Sequence, residues 1–201
     1  MRLEAPSREH PLRARMIQRF MRLRLADVPD VILACQHRPE FFGKGFLEWV
    51  EASLRGSSHW TQGECELMAA LVSDRNLCQF CIGAHSATAT ALVGEETVKT
   101  VLSGDLADGG AENADGRISD QLRATLGFIE KLSLSPAEIG ADDVDRAVAA
   151  GVDPQALRDA VEVCAAFNVM NRIADALHFE PQDEKSLSFM SKVLTIRGYR
   201  A

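Results

Sequence analysis

The pattern of hydrophobic and polar positions predicts a chain that is helical nearly throughout. Alanine and leucine dominate, and β-branched residues occur only in short runs, which favours helices over strands. In one segment Leu67, Met68, Leu71 and Val72 recur at helical spacing. The predicted helices cover residues of about 12–25, 39–55, 62–74, 77–92, 118–132, 142–150, 154–177 and 183–196. We therefore expect an all-α helical bundle.

Turn-forming and capping residues indicate how these helices are joined. Asn76 is predicted to cap the N-terminus of the helix over 77–92, because asparagine is favoured at that position. Residues 104–116 are rich in glycine and aspartate and predict a loop rather than a domain boundary. We expect one all-α domain over residues 1–201, in which residues 1–25 form a basic N-terminal arm or first helix.

Composition is that of an ordinary globular chain. The 201 residues are 46% hydrophobic and 25% charged, and this length can bury a substantial core. No run approaches the roughly 18 apolar residues that span a bilayer, and the N-terminus lacks the apolar region of a secretory signal. The five cysteines are odd in number and widely spread, which favours a reducing compartment. We expect a cytoplasmic protein without a membrane partner.

Charge is distributed unevenly along the chain. The net charge is −7, but the first 24 residues carry seven arginines and two glutamates, which leaves 15 basic and 27 acidic residues in the body. An acidic body does not favour nucleic acid or anionic lipid as a partner. We expect the basic arm to pack on the body or on a neighbouring subunit.

The candidate chemistry is concentrated in residues 76–85. Cys78 and Cys81 form a C-x-x-C pair, and His85 follows one helical turn after the second cysteine. On a helix the three residues share one face, because their spacing is i, i+3 and i+7. Such a pair can cycle between dithiol and disulfide, with the histidine as a base. The segment therefore predicts thiol redox chemistry.

The spacing leaves open which cysteine is the nucleophile. The positive end of the helix dipole favours a thiolate at Cys78, near the helix N-terminus. The neighbouring base favours Cys81 instead, because His85 can accept its proton directly.

Glu66 lies twelve residues before Cys78 on the preceding predicted helix. A hairpin between the two helices can fold Glu66 over the cysteine helix, where it would orient His85 or relay a proton. The alternative is a solvated glutamate on an amphipathic helix, and from residue type alone this alternative is favoured.

Two roles other than redox chemistry are less favoured for Cys78 and Cys81: a zinc site, and a pair of incidental buried thiols. A structural zinc site needs four ligands, and the additional ligands on offer are His59, Cys65 and Cys164, with no second C-x-x-C pair. We therefore expect no metal. Cys35, Cys65 and Cys164 are interpreted as core residues, because free cysteine is often buried.

The motif resembles that of a known family. The spacing resembles that of the alkylhydroperoxidase D-like branch of the carboxymuconolactone decarboxylase superfamily. In this chain the pattern consists of Glu66, the Cys78-x-x-Cys81 pair that begins twelve residues later, and His85. Residues 64–73 resemble the helix that leads into this motif in the family.

The resemblance extends over most of the chain, about residues 40–197. Residues 167–177 are similar to the end of the long helix in peroxidase-related members. The family implies the alkylhydroperoxidase D-like all-α fold and assembly into a homo-oligomer, as a dimer, trimer or hexamer.

The resemblance also implies a mechanism. Cys81 attacks a hydroperoxide and becomes a sulfenic acid, Cys78 resolves it to a disulfide, and Glu66 and His85 activate Cys81 as a proton relay. The implied partners are a hydroperoxide substrate and a thiol reductant, such as a dihydrolipoyl or thioredoxin-like protein. No cofactor is implied.

One position departs from the family pattern. The best-characterised member has a second histidine just before the second cysteine, and here that position is Phe80. Part of the proton relay is thus absent or supplied by another group. The decarboxylase branch lacks the cysteine pair, so Cys78 and Cys81 argue against lactone decarboxylation.

Two alternatives to a thiol peroxidase remain open from the sequence. One is a decarboxylase or isomerase on the same scaffold, in which Glu66 and His85 act as base and acid. The other is a non-enzymatic redox-sensing oligomer, in which disulfide formation changes the assembly.

Overall fold

The computed structural model describes residues 12–25, 27–37, 39–104 and 118–199, and within these ranges the regular structure is helical throughout. The helices are α1 (Leu12–Arg22), α2 (Asp30–His37), α3 (Lys44–Arg55), α4 (Gln62–Arg75), α5 (Gln79–Val93), α6 (Glu95–Ser103), α7 (Asp120–Leu134), α8 (Ala141–Ala149), α9 (Pro154–Leu177) and α10 (Glu184–Arg197). A π-helical turn (Pro39–Gly43) precedes α3, and a short 3₁₀ turn (Pro136–Glu138) follows α7. The predicted all-α class is confirmed.

The structure differs from the predicted helices in three places. Helices α2 and α6 were not predicted, because at eight and nine residues each is too short for an apolar repeat to stand out. The third difference concerns Asn76, which ends α4 instead of capping α5. The N-cap of α5 is Cys78 itself, with an extended backbone conformation. The predicted N-cap was therefore wrong by two residues.

Two predictions lie partly or wholly outside the described residues. Residues 105–116 of the predicted loop lie outside the described ranges, and so do residues 1–11 of the basic arm. The described part of the arm forms α1, whose buried residues are Ala14, Gln18 and Met21.

Helix α4 lies at the centre of the molecule and packs against α5, α7 and α9. Residues 65–73 are buried without interruption, so α4 presents apolar side chains on every face. Its start is fixed by a capping box, in which Thr61 Oγ1 accepts from the Glu64 backbone N–H and the Glu64 carboxylate accepts from the Thr61 N–H. Any polar side chain on a helix enclosed in this way is shielded from water.

Helix α9 is the longest element and lines both α4 and the cysteine helix α5. Asp153 caps its start and Pro154 occupies its first turn, as the sequence predicts for proline, whose missing N–H is not needed there. The helix ends at His178, whose left-handed backbone has φ 51°. No helix in the described part of the chain is both long and apolar enough to cross a membrane.

Candidate active site

The tight connection between α4 and α5 presents the cysteine pair. Leu77 adopts φ 60°, which is unusual for a residue with a bulky side chain, and its side chain is 77% exposed. The N–H of Cys78 donates to the carbonyl of Ser73 at 3.0 Å, so the turn is closed by a backbone hydrogen bond. Sparsely populated backbone conformations of this kind cluster at functional sites.

Helix α9 fixes this turn through a set of amide side chains. The side-chain Nδ2 of Asn76 donates to Oδ1 of Asn168 and to Oδ1 of Asn171, each at 3.0 Å. Asn171 is fully buried and donates in turn to Ser73 Oγ at 3.1 Å. Because each amide has a partner on another element, the position of Cys78 relative to α9 is set by hydrogen bonds.

The two cysteines are buried at the start of α5, and both are free thiols. The Cys81 side chain hydrogen-bonds to Cys78 and lowers the pKa of the Cys78 thiol, although burial acts against this. The same interaction, followed by burial, raises the pKa of Cys81 far above its ordinary value. These opposite directions favour a resting thiolate at Cys78, the N-cap of α5, over one at Cys81.

Two further side chains of α9 influence the pair. The Asn171 side chain hydrogen-bonds to Cys81 and favours its ionised form, against the larger effects of Cys78 and burial. Asp175, which is exposed, lies close enough to Cys78 to raise the pKa of its thiol, opposing the larger effect of Cys81. The end of α9 therefore contacts both sulfurs, a role that the sequence did not reveal.

Glu66 and His85 form a buried hydrogen-bonded pair. The distance between Glu66 Oε2 and His85 Nδ1 is 2.8 Å, and the exposed fractions of the two residues are 0% and 7%. Burial disfavours the ionised Glu66 carboxyl, but the hydrogen bond and charge of His85, together with those of Arg55, outweigh it and lower the pKa of Glu66. The interpretation of Glu66 as a solvated glutamate was wrong.

This pairing determines which histidine nitrogen carries a proton. Because the ionised carboxylate of Glu66 only accepts, Nδ1 of His85 donates to it, and Nε2 is left to exchange protons. The His85 ring packs edge-on against Phe167, with 4.4 Å between ring centroids. His85 is thereby fixed one helical turn from Cys81 on α5.

Two residues of this cluster were missed by the sequence reasoning. Arg55 Nη2 donates to Glu66 Oε1 at 2.6 Å, and the Tyr199 hydroxyl donates to both carboxylate oxygens, at 2.9 and 3.1 Å. Arg55 comes from α3 and Tyr199 from the turn after α10. No local motif marks either residue, since each reaches Glu66 only through the packing of distant elements.

An apolar wall surrounds the cysteines. Phe80 is 7% exposed and meets Phe179 edge-on, with 5.3 Å between ring centroids. Met170 and Ala174 of α9 complete the buried cluster around the cysteines. Phe80 therefore packs where the family has its second histidine, and an apolar ring there has no means of carrying a proton.

The remaining cysteines are placed as core residues. Cys35, Cys65 and Cys164 are buried, and burial raises the pKa of each thiol, to about 12 for Cys35 and Cys65. These thiols are poor nucleophiles at neutral pH. In the ranges that the structure covers, no three His, Cys, Asp or Glu side chains converge in a way that could hold a metal ion.

Comparison with known structures agrees with the fold and the motif. The chain is similar to an uncharacterized peroxidase-related protein from Silicibacter sp. TM1040, with 25% identity, coverage of 92% of this chain and 93% of that one, and a TM-score of 0.74. It is also similar to an uncharacterized peroxidase-related protein from Ralstonia eutropha JMP134, described as an alkylhydroperoxidase AhpD core. Here the identity is 25%, the coverage is 96% of both chains and the TM-score is 0.71.

A third similar structure is the debrominase Bmp8, with 19% identity, coverage of 90% of this chain and 92% of that one, and a TM-score of 0.64. This likeness concerns the fold alone. No protein-family model and no curated protein sequence matches the chain.

These neighbours define the structural class. The chain has the alkylhydroperoxidase D-like all-α fold, and its resemblance to the peroxidase-related proteins of the carboxymuconolactone decarboxylase superfamily is confirmed. Because a debrominase shares the fold, the fold by itself does not define the reaction.

Proposed function

We propose that the protein is a thiol peroxidase that reduces hydroperoxides through the Cys78–Cys81 pair. The observation that carries this proposal is the pair itself: two free, adjacent thiols at the start of α5, one with a lowered pKa. Glu66 and His85 form a buried acid–base pair, in which His85 lies four residues after Cys81 on α5 and Glu66 lies on α4. The likeness to two peroxidase-related proteins supports the same reading of the site.

The proposed cycle begins with the reduced pair, which holds one proton between its two sulfurs. The proton of Cys81 passes to Cys78 or to Nε2 of His85, and the resulting Cys81 thiolate attacks the terminal oxygen of the hydroperoxide. The O–O bond breaks, Cys81 becomes a sulfenic acid, and the alkoxide leaving group takes up the transferred proton to leave as an alcohol.

The second step regenerates a stable oxidised enzyme. The Cys78 sulfur attacks the sulfur of the Cys81 sulfenic acid, a disulfide forms, and the hydroxyl leaves as water after protonation. A dithiol reductant, such as a dihydrolipoyl or thioredoxin-like protein, then reduces the disulfide by thiol–disulfide exchange. We assign this reductant, a homo-oligomeric assembly and a cytoplasmic location to the protein as parts of the same proposal.

A thiol count tests the proposal directly. Fully reduced protein is treated with one equivalent of cumene hydroperoxide, the remaining thiols are counted, and the oxidised peptide is mapped by mass spectrometry. We expect the rapid loss of two thiols, both within the peptide that contains Cys78 and Cys81. Oxidation no faster than that of a free cysteine would contradict the proposal.

Serine variants separate the roles of the two cysteines. Cys81→Ser should lose turnover, because the attacking sulfur is absent. Cys78→Ser should accumulate a sulfenic acid on Cys81 that a dimedone probe traps. Cys35→Ser is the matched control, because Cys35 is a buried free thiol on α2, outside the set of amide side chains that fixes the cysteine turn. Peroxide turnover by Cys81→Ser would contradict the assigned roles. Either Cys78 would be the attacking cysteine, or the pair would take no part in the reaction.

A further inference from the structure

The turn after α10 carries Tyr199, the single tyrosine of the chain. Its hydroxyl donates to both oxygens of Glu66 and lies 3.5 Å from Nδ1 of His85. Its ring lies nearly parallel to the imidazole of His85, with 6.1 Å between centroids and 16° between planes. The phenol thus contacts both members of the acid–base pair.

The chain end is built to hold this phenol in place. The Tyr199 N–H donates to Glu51 Oε2 at 2.6 Å, and the Arg55 guanidinium lies 5.1 Å from the centre of the phenol ring. Gly198 has φ 68°, and a Cβ there would lie 2.3 Å from the same Glu51 carboxylate oxygen. Only glycine fits this close approach without displacement of Glu51.

The charges around the phenol favour its neutral, donating form. Burial, followed by the negative charge of Glu66, raises the pKa of Tyr199 well above its ordinary value. A neutral phenol is a hydrogen-bond donor to Glu66, and it adds to the donors that keep this buried carboxylate ionised. The charged and titratable groups that face this cluster come from three helices: Glu51 and Arg55 of α3, Cys65 and Glu66 of α4, and His85 of α5.

We propose that Tyr199 is a positioning residue for the acid–base pair, which completes the proton relay from the C-terminal end of the chain. Its hydroxyl holds the Glu66 carboxylate ionised and in place, and its ring holds the imidazole plane of His85. The relay is therefore complete only when the turn after α10 is docked on α3 and α4. This inference rests on the proposed peroxidase function, because it assigns the residue a part in that relay.

Two changes at Tyr199 test the inference in opposite directions. Tyr199→Phe keeps the ring and removes the donor. Biosynthetic incorporation of 3-fluorotyrosine keeps the ring, makes the phenol a stronger donor, and changes this one site only, because the chain has one tyrosine. Ile196→Ser is the control on the same terminal segment, since Ile196 is 82% exposed.

The first readout is the titration of the Glu66 carboxyl carbon by ¹³C NMR. Loss of a donor to the ionised form raises the pKa of Glu66, so Tyr199→Phe should move the midpoint to higher pH, and 3-fluorotyrosine to lower pH. The control should match the wild-type midpoint. Unchanged midpoints in both Tyr199 forms would overturn the inference.

The second readout is the rate of thiol oxidation by cumene hydroperoxide, measured against pH by stopped flow. We expect Tyr199→Phe to slow oxidation roughly tenfold at pH 7 and to shift the acid limb of the profile to higher pH, because the relay is misaligned rather than removed. A profile within about twofold of wild type at every pH would overturn the inference, since a merely structural residue changes stability and not the profile. If wild-type protein is not oxidised at all, the proposed function fails, and the carboxyl titration alone decides the role of Tyr199.

Discussion

The Nδ1 atom of His85 lies 2.8 Å from Oε2 of Glu66, although nineteen residues separate the two in the chain. The hairpin between α4 and α5 brings them together, and the interior of the molecule encloses them. Arg55 balances the charge of the carboxylate, so the pair is an ion-paired cluster within the core. A substitution in this cluster should therefore change both the stability of the protein and the proposed proton relay.

Replacement of Glu66 by glutamine should destabilise the protein markedly. The neutral amide leaves the Arg55 guanidinium without its anionic partner, and loss of one member of a buried ion pair costs about 3–5 kcal/mol. Urea unfolding at pH 7 measures the change. The double variant Arg55→Met with Glu66→Gln is the control, and it should cost less than Glu66→Gln alone. A double variant that is less stable than the single one would contradict the ion-pair interpretation.

The same carboxylate predicts how stability depends on pH. The folded-state pKa of Glu66 is lowered, so its contribution is fully present above the unfolded-state pKa of about 4.3. That contribution is lost as the pH falls through the folded-state pKa. We expect wild-type stability to fall more steeply on acidification below about pH 4 than that of Glu66→Gln. Parallel unfolding free energies from pH 6 to pH 3 would argue against an ionised Glu66.

The lowered pKa of Cys78 predicts that its thiolate forms at a lower pH than that of an ordinary cysteine. Absorbance at 240 nm against pH measures thiolate formation, and iodoacetamide mapping assigns it to a residue. Cys81→Ala should raise the pKa of Cys78, because the hydrogen bond to its sulfur is lost. Asp175→Asn should lower it, since Asp175 raises it in the wild type. A first thiolate that maps to Cys81 would reverse the proposed resting state.

Asn76 should be needed to present the cysteine pair. Asn76→Ala removes three side-chain hydrogen bonds and leaves the Asn168 and Asn171 oxygens without this donor, at a cost of about 1–3 kcal/mol. Because Asn76 lies two residues before Cys78, we also expect slower oxidation of the pair by peroxide. Thermal unfolding and the peroxide rate are measured on the same preparation. A loss of stability with an unchanged rate would limit Asn76 to a structural role.

Thr61→Ala should lower the stability of the protein without changing its rate of reaction with peroxide. Thr61 caps the start of α4, and loss of an N-cap side chain costs about 1 kcal/mol. The cap lies more than one helical turn from Glu66, so the peroxide rate of the folded protein should match the wild type. Thr61→Ser keeps the hydroxyl and should restore the lost stability. A rate that falls in Thr61→Ala but not in Thr61→Ser would connect the cap to the site.

Much of the fold could be predicted from local sequence, and each error has an identifiable physical cause. The helices around α4, α5 and α9 were located from their alanine- and leucine-rich composition, from a helical repeat of apolar residues in part of α4, and from capping and turn residues at their ends. Helix α6, at nine residues, is too short for such a repeat to stand out. Asn76 was misplaced as an N-cap because its amide bonds to α9, whereas Cys78, which is not a favoured capping residue, begins α5.

The candidate site was likewise predicted only in part from the sequence. Spacing alone placed Cys81 and His85 one turn apart on α5, since residues on one helix have a fixed geometry, whereas Cys78 precedes the helix as its N-cap. The spacing did not determine which sulfur carries the negative charge in the resting state. That depends on hydrogen bonds and burial, which only the packing of the helices supplies.

Glu66 shows most clearly what the tertiary structure decided. By residue type it belongs on the surface, and its burial depends on partners that come from α3, from α5 and from the end of the chain. Arg55 is eleven residues away and Tyr199 is 133 residues away, and neither distance forms a local pattern. The sequence determined most of the helices and the spacing of the cysteine motif, because both follow from the local order and preferences of the residues. The tertiary structure assembled the charged cluster, because a buried carboxylate is stable only where distant donors meet around it.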